Sequence, residues 1–212
     1  MSRRLARSSV ALFLALLALL AVATPLAAED APVPTDSESV LEHLERTRQL
    51  FLEAIADLTP EQWSWKPAPD RWSVAECAEH ITLSESFLRD FMRTAVTTPA
   101  DPAVLAKSHG KSATILKFIV DRSQKFQAPE PINPTKQSEI RSRAAIERDF
   151  NFERGRTHEL VASAGDLESF ASVSPAFQEV DLAGLAYFLS GHTERHTLQI
   201  QEVKSSPGWP GR

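Results

Sequence analysis

One cysteine in 212 residues, Cys77, excludes an internal disulfide, so stability has to come from packing or from a bound metal. Basic residues are also short, with Lys+Arg 23 against Asp+Glu 28 and a formal net charge of −5. Recognition of a phosphate backbone needs a basic footprint, so nucleic acid is excluded as a partner. No G-x-S-x-G, Walker or dinucleotide-binding glycine pattern occurs, so those chemistries have no support in the chain. Internal repeats and low-complexity tracts are absent, and strand-like alternation is scarce.

What is present begins with a leader. Arg3, Arg4 and Arg7 precede an apolar run from Val10 to Ala23, and small residues follow to Ala27 and Ala28. A basic head, an apolar middle and a small-residue cut describe a cleavable signal peptide over residues 1–28. The apolar run is too short to span a bilayer comfortably, since a transmembrane helix needs about 20 such residues. No cysteine near the cut offers a lipid anchor. Cleavage removes Arg3, Arg4 and Arg7, which moves the net charge from −5 to −8 and leaves 20 basic residues against 28 acidic. The expected location is periplasmic or secreted, with no membrane contact once the leader is gone.

Residues 29–35 read as a flexible lead, 36–206 as one domain and 207–212 as a tail. Prolines such as Pro60, Pro67, Pro99, Pro129 and Pro175 punctuate the domain. Between them lie four long segments of helical period, at about 37–58, 73–95, 142–164 and 182–204. Thr35 and Glu38 have capping-box spacing before the first, and Ser73 and Glu76 before the second, where Trp72 is placed as a hydrophobic staple. Gly165 ends the third, and Asp181 caps the fourth. A shorter helix fits 111–121. Long helices joined by mixed loops predict an all-α fold, a four-helix bundle.

The chemistry-bearing residues sit on two of these helices. Stepping by fours and threes along the last one gives Leu185, Leu189, His192, His196, Gln199 and Val203, so two imidazoles share the seam that should face the core. Two histidines four apart on one helix are a spacing that holds a zinc-like ion. Unpartnered buried rings would cost stability, so a metal or hydrogen bonds must satisfy them. The same stepping on the second helix gives Cys77, His80, Ser84, Phe87 and Phe91, which turns His80 inward as well. With the two helices parallel, the rings fall at similar heights across a gap of roughly 8–10 Å. Three protein ligands with open positions describe a catalytic type of metal site, whereas hydrogen-bonded core histidines are the plainer reading.

These residues also carry a resemblance. Trp72 to His80 (W-S-x-x-E-x-x-x-H) and G-H-T-E-R-H-T-x-Q-I near the C-terminus resemble the DinB superfamily, as do DRSQKFQAPEPINP (121–134) and the ending QEVKSSPGWP. The resemblance implies a four-helix bundle with a three-histidine site for a divalent metal, whose ligands map onto His80, His192 and His196. Some members are metal-dependent thiol transferases or isomerases and others are described as hydrolases. A leader departs from the cytoplasmic thiol-using members and argues against a small thiol cosubstrate. Imidazole donors suit zinc, nickel and iron alike.

Other candidates rank lower. Glu76 stands one turn before His80 and is the weak candidate for a catalytic base, although it also completes the capping box. Cys77 reads as a buried hydrophobe. Glu79, Glu85 and Glu194 read as solvated charges, and His43, His109 and His158 as surface histidines. Trp63 and Trp65 either line a pocket above the metal or anchor the proline-rich loop to the bundle end. The expected function is a metal-dependent hydrolase or transferase, with a non-catalytic metal- or ligand-binding bundle as the rival. Expected partners are a small-molecule substrate and a second copy of the chain.

Overall fold

A helix begins where a side chain can satisfy its first free amides, and in this protein the four long helices form where such residues stand. The computed structural model describes residues 32–211, and the expected signal peptide lies outside them. The helices are α1 (Ser37–Ile55), α2 (Pro60–Ser64), α3 (Val74–Thr97), α4 (Pro102–Ser108), α5 (Ser112–Val120), α6 (Arg143–Ala164) and α7 (Leu182–Lys204). Ser73 and Glu76 exchange both capping-box bonds at α3, Ser142 caps α6, and Asp181 caps α7. Gly165 closes α6 with φ +73°, a conformation that glycine adopts without a Cβ clash. The first cap is a correction. Asp36, not Thr35, accepts from the Ser39 amide (2.9 Å), and Thr35 instead donates to Glu168. α1 also stops at Ile55 rather than near 58, because Ala56 turns extended and Asp57 takes φ 54°.

Four of these helices make the bundle, and long-range contacts set their directions. His43 reaches Ser190, Arg46 reaches Glu194 and Lys204 reaches the Ala54 carbonyl, so α1 and α7 advance together. The start of α3 (Val74, Cys77, Ala78, Ile81) shares an apolar cluster with Ile200 and Val203 near the end of α7. Its far end (Met92, Ala95) shares a second cluster with Leu182, Leu185 and Leu189. Thus α3 and α7 are antiparallel, which corrects the parallel arrangement expected from the sequence. α6 follows α3, with Ile146 and Phe150 in the first cluster and Val161 in the second. The histidines still meet because they lie at similar depths from one end: His80 is six residues past Val74, and His196 eight before Lys204.

The connection between α3 and α6 brings α5 against α7 at a face made of glycine. A Cβ on Gly191 would lie 2.5 Å from Ile119 Cγ2 and 2.9 Å from Leu116 Cδ1. Gly191 therefore lets the backbones approach directly beside His192.

A hairpin of β1 (Ala171–Ser174) and β2 (Gln178–Asp181) precedes α7, with Ala171 paired to Asp181. Strands of four residues are too short to show a period of two in the sequence, and that is why the hairpin was not expected. The lead is anchored where it is described: Val33 packs on the core, and the Tyr187 hydroxyl donates to the Pro34 carbonyl (2.6 Å). Residues 207–211 also fold back onto the bundle. Trp209 meets Trp65 edge-on at 5.5 Å, and the Gln62 side chain donates to the Pro210 carbonyl. Among the described residues, no helix is long and apolar enough to cross a membrane.

Candidate metal centre

His80, His192 and His196 converge. Their ring centroids lie 4.9 Å (His80–His192), 4.4 Å (His80–His196) and 4.5 Å (His192–His196) apart. One nitrogen from each falls within 4.8 Å of the other two. Two of the three tautomers follow from hydrogen bonding. The His80 Nδ1–H donates to the Ile132 carbonyl (2.7 Å), which can only accept, so His80 Nε2 carries a lone pair. The His196 Nδ1–H donates to Gln199 Oε1 (2.9 Å), and that oxygen also accepts from Arg122, which orients the amide and leaves His196 Nε2 free. His80 Nε2 stands 3.2 Å from His192 Nε2.

Burial keeps these rings neutral. It pulls the His80 pKa down to about 4, against the opposing effect of the Ile132 carbonyl. His192 is held well below the usual imidazole range by burial, then by His80 and Arg195. His196 is held there by burial, then by His192 and His80. Neutral imidazoles are what a metal requires of histidine, and the donor set fits a divalent ion. Two nitrogens bound to one ion at about 2.0–2.1 Å stand roughly 3.3 Å apart at tetrahedral angles, close to the separation of the two Nε2 atoms.

The surroundings hold this geometry. Trp72 packs over the His80 and His196 rings at 5.0 and 6.0 Å, so the residue expected as a staple also covers the site. Arg195 is buried and donates to the carbonyls of Ile119, Asp121 and Gln124, pinning the loop after α5. Arg122 forms a twofold pair with Glu202 (2.7 Å each) and links it to Gln199 and so to His196. Gln199 was visible on the histidine seam, but its role was not. The Ile132 carbonyl carries no side-chain signal at all, and only the loop's path reveals it.

The remaining candidates fall elsewhere. Each Glu76 oxygen accepts one bond, one from the Ser73 amide (2.8 Å) and one from the Lys66 ammonium (2.7 Å), and Glu76 does not converge with the three histidines. Cys77 is fully buried, and desolvation pushes its thiol pKa up. The solvated reading of Glu79 and Glu85 is corrected: both are buried, paired with Arg141 and Arg154 respectively. Glu194 pairs with Arg46. His43 is not a surface histidine either; it bridges Ser190 and Arg46. His158 is partly buried away from the triad, and His109 is exposed beside Asp181. Trp63 and Trp65 join the apolar cluster at the bundle end, the anchoring alternative.

Comparison with known proteins bears on the family and the fold. The family model of the DinB superfamily matches residues 43–200. YuaE of Bacillus subtilis (strain 168), an uncharacterized protein, is 24% identical over 152 residues, covering 71% of this chain and 88% of its own. The solved structure of YfiT from Bacillus subtilis, described as "a probable metal-dependent hydrolase with an unusual four-helix bundle topology", aligns with a TM-score of 0.53 at 14% identity. That alignment covers 82% of this chain and 89% of YfiT. With the family's pattern matched from α1 to the last turns of α7, this chain belongs to the DinB superfamily.

Proposed function

We propose that this protein holds one divalent metal ion through His80, His192 and His196 and is an exported metal-dependent hydrolase acting on a small molecule. The observation that carries the reading is the convergence of donors. His80 and His196 each spend Nδ1–H on an outer partner and so keep an Nε2 lone pair. The His80 Nε2 lies 3.2 Å from His192 Nε2, and one nitrogen of each ring lies within 4.8 Å of the others. When bound there, a divalent ion acts as a Lewis acid that lowers the pKa of water and polarises a carbonyl. The chain's part is positional. Ile132 and Gln199 orient two donors, and Trp72 excludes water from their outer faces. His192 is the most accessible of the three rings, so substrate approaches from its side, past Phe188, whose ring is 6.4 Å away.

Residues 1–28 support export, and the described residues hold no spanning helix to retain the chain. A single observation favours the non-catalytic rival: the Glu76 carboxylate is held by the helix cap and Lys66 and does not converge with the histidines. Metal content and activity separate the readings. Relative to the parent, His80→Ala and His192→Ala are each expected to lose one equivalent of metal while retaining helical circular dichroism. Unchanged metal content in both would overturn the site. An ester and amide panel, assayed with and without chelator, then tests turnover. Chelator-sensitive hydrolysis supports the enzyme, and metal-loaded protein without hydrolysis favours the binding module.

A further inference from the structure

A second constellation lies at the opposite end of α7. Asp181 ends β2 and caps α7, and its Oδ1 accepts the Gly184 amide at 2.7 Å. Its side chain is 1% exposed, and Oδ2 is buried without a hydrogen-bond partner among the described residues. A buried, ionisable oxygen left without a donor is costly, and native structures seldom keep one without a reason. What faces it is chemistry of the right kind. His109 Nδ1 stands 3.7 Å away, too far for a hydrogen bond, and Glu168 brings a carboxylate oxygen to the same spot. One donor atom from each of the three lies within 4.8 Å of the others.

Three separate elements deliver these groups. His109 follows the last turn of α4, Glu168 lies in the 3-10 turn Leu167–Ser169, and Asp181 comes from the hairpin. The nearby ammonium groups are drawn elsewhere: Lys111 donates to the Glu179 carbonyl, and Lys107 lies 3.9 Å from the Glu179 carboxylate. The Thr35 hydroxyl donates to Glu168 Oε1 (3.1 Å) and holds that side chain in place.

We propose that His109, Glu168 and Asp181 form a second divalent-cation site, independent of the histidine triad, with one imidazole and two carboxylate donors. Such a mixed set suits zinc, whose bonds to imidazole nitrogen and carboxylate oxygen are both about 2.0–2.2 Å. An ion at those distances and tetrahedral angles holds donors roughly 3.3–3.6 Å apart, so the 3.7 Å pair has only to close slightly. The exposed His109 and the short-turn Glu168 supply the remaining adjustment. The role is structural. The ion ties α4, the hairpin and the start of α7 together, about 16 Å along α7 from His192 at about 1.5 Å per residue. It would neutralise the carboxylates and satisfy the orphaned oxygen.

The test is zinc titration of the full chain by calorimetry, with circular dichroism as the folding control. The parent is expected to take two equivalents, and the His80→Ala/His192→Ala/His196→Ala variant one. His109→Ala or Asp181→Asn added to that variant abolishes the remaining equivalent; asparagine is itself a good N-cap, so α7 keeps its start. Where the triple variant does not fold, His109→Ala and Glu168→Gln in the parent each reduce the stoichiometry from two to one. Zinc binding of the triple variant that is absent, or unaffected by His109→Ala and Asp181→Asn, overturns the second site. So does an unchanged two equivalents in His109→Ala. Loss of the triad's equivalent alone leaves the second site intact, so the two proposals fail separately.

Discussion

The Arg154 guanidinium grips the Glu85 carboxylate through two bonds, 2.8 and 2.9 Å, at a depth where each side chain is 1% exposed. The same guanidinium donates to the Leu44 carbonyl, Thr47 Oγ1 and Thr193 Oγ1, and Thr157 donates to Glu85. One ion pair thus touches α1, α3, α6 and α7, five residues along α3 from His80 and next to His192.

Removal of one partner would leave the other charged, buried and unpaired. Glu85→Ala or Arg154→Ala is therefore expected to destabilise the fold by about 3–5 kcal/mol, whereas the double variant Glu85→Leu/Arg154→Met loses much less than the sum. Urea unfolding measures both, and single losses below about 1 kcal/mol would contradict the assignment.

Gln199 fixes the His196 tautomer without facing the metal position itself. Gln199→Leu is expected to weaken metal binding about 10–100-fold, the usual effect of removing such a support, with little change in melting temperature. Competition with a chromophoric chelator reads the affinity. An unchanged affinity would mean that the His196 ring is held by packing alone.

Gly191 and Gly155 should respond in opposite directions to alanine. A Cβ at 191 meets Ile119 and Leu116 at 2.5 and 2.9 Å, so Gly191→Ala pushes α5 off α7 at a cost of about 1–3 kcal/mol. Around Gly155, midway along α6, nothing lies within 4 Å of an added Cβ. Gly155→Ala is expected to stabilise by about 0.5–1 kcal/mol. Thermal melts of the two variants check the contrast.

His43 makes stability fall in acid. Burial, then Arg46, holds its folded pKa down to about 4, with Glu194 opposing. The unfolded ring titrates near 6.5, so between those values the unfolded chain binds more protons and stability decreases as pH falls. The loss begins below about 6.5 and levels off near 4, and it amounts to roughly 1–2 kcal/mol after allowance for the ring's partial exposure. Compared with His43→Gln, the parent should show the steeper decline in urea midpoint from pH 7.5 to 4. Parallel curves would place the pH sensitivity elsewhere.

Much of this was legible in the chain because helices announce themselves locally. Ser73 with Glu76, Ser142, Asp181 and Gly165 mark helix ends through bonds that span only a few residues, and the seam through His192, His196 and Gln199 is a matter of period. The burial of Arg154 had no such local signature, because its partner Glu85 stands on another helix. The α3–α7 direction, the Ile132 carbonyl at His80 and the seat of α5 on Gly191 had no local signature. Each depends on where a long connection returns, and that is decided by burying apolar surface over the whole molecule rather than by any neighbouring residue. The residues alone therefore determined which three imidazoles point inward, and only the tertiary structure decided that they meet, because convergence is a property of packed helices and not of any one of them.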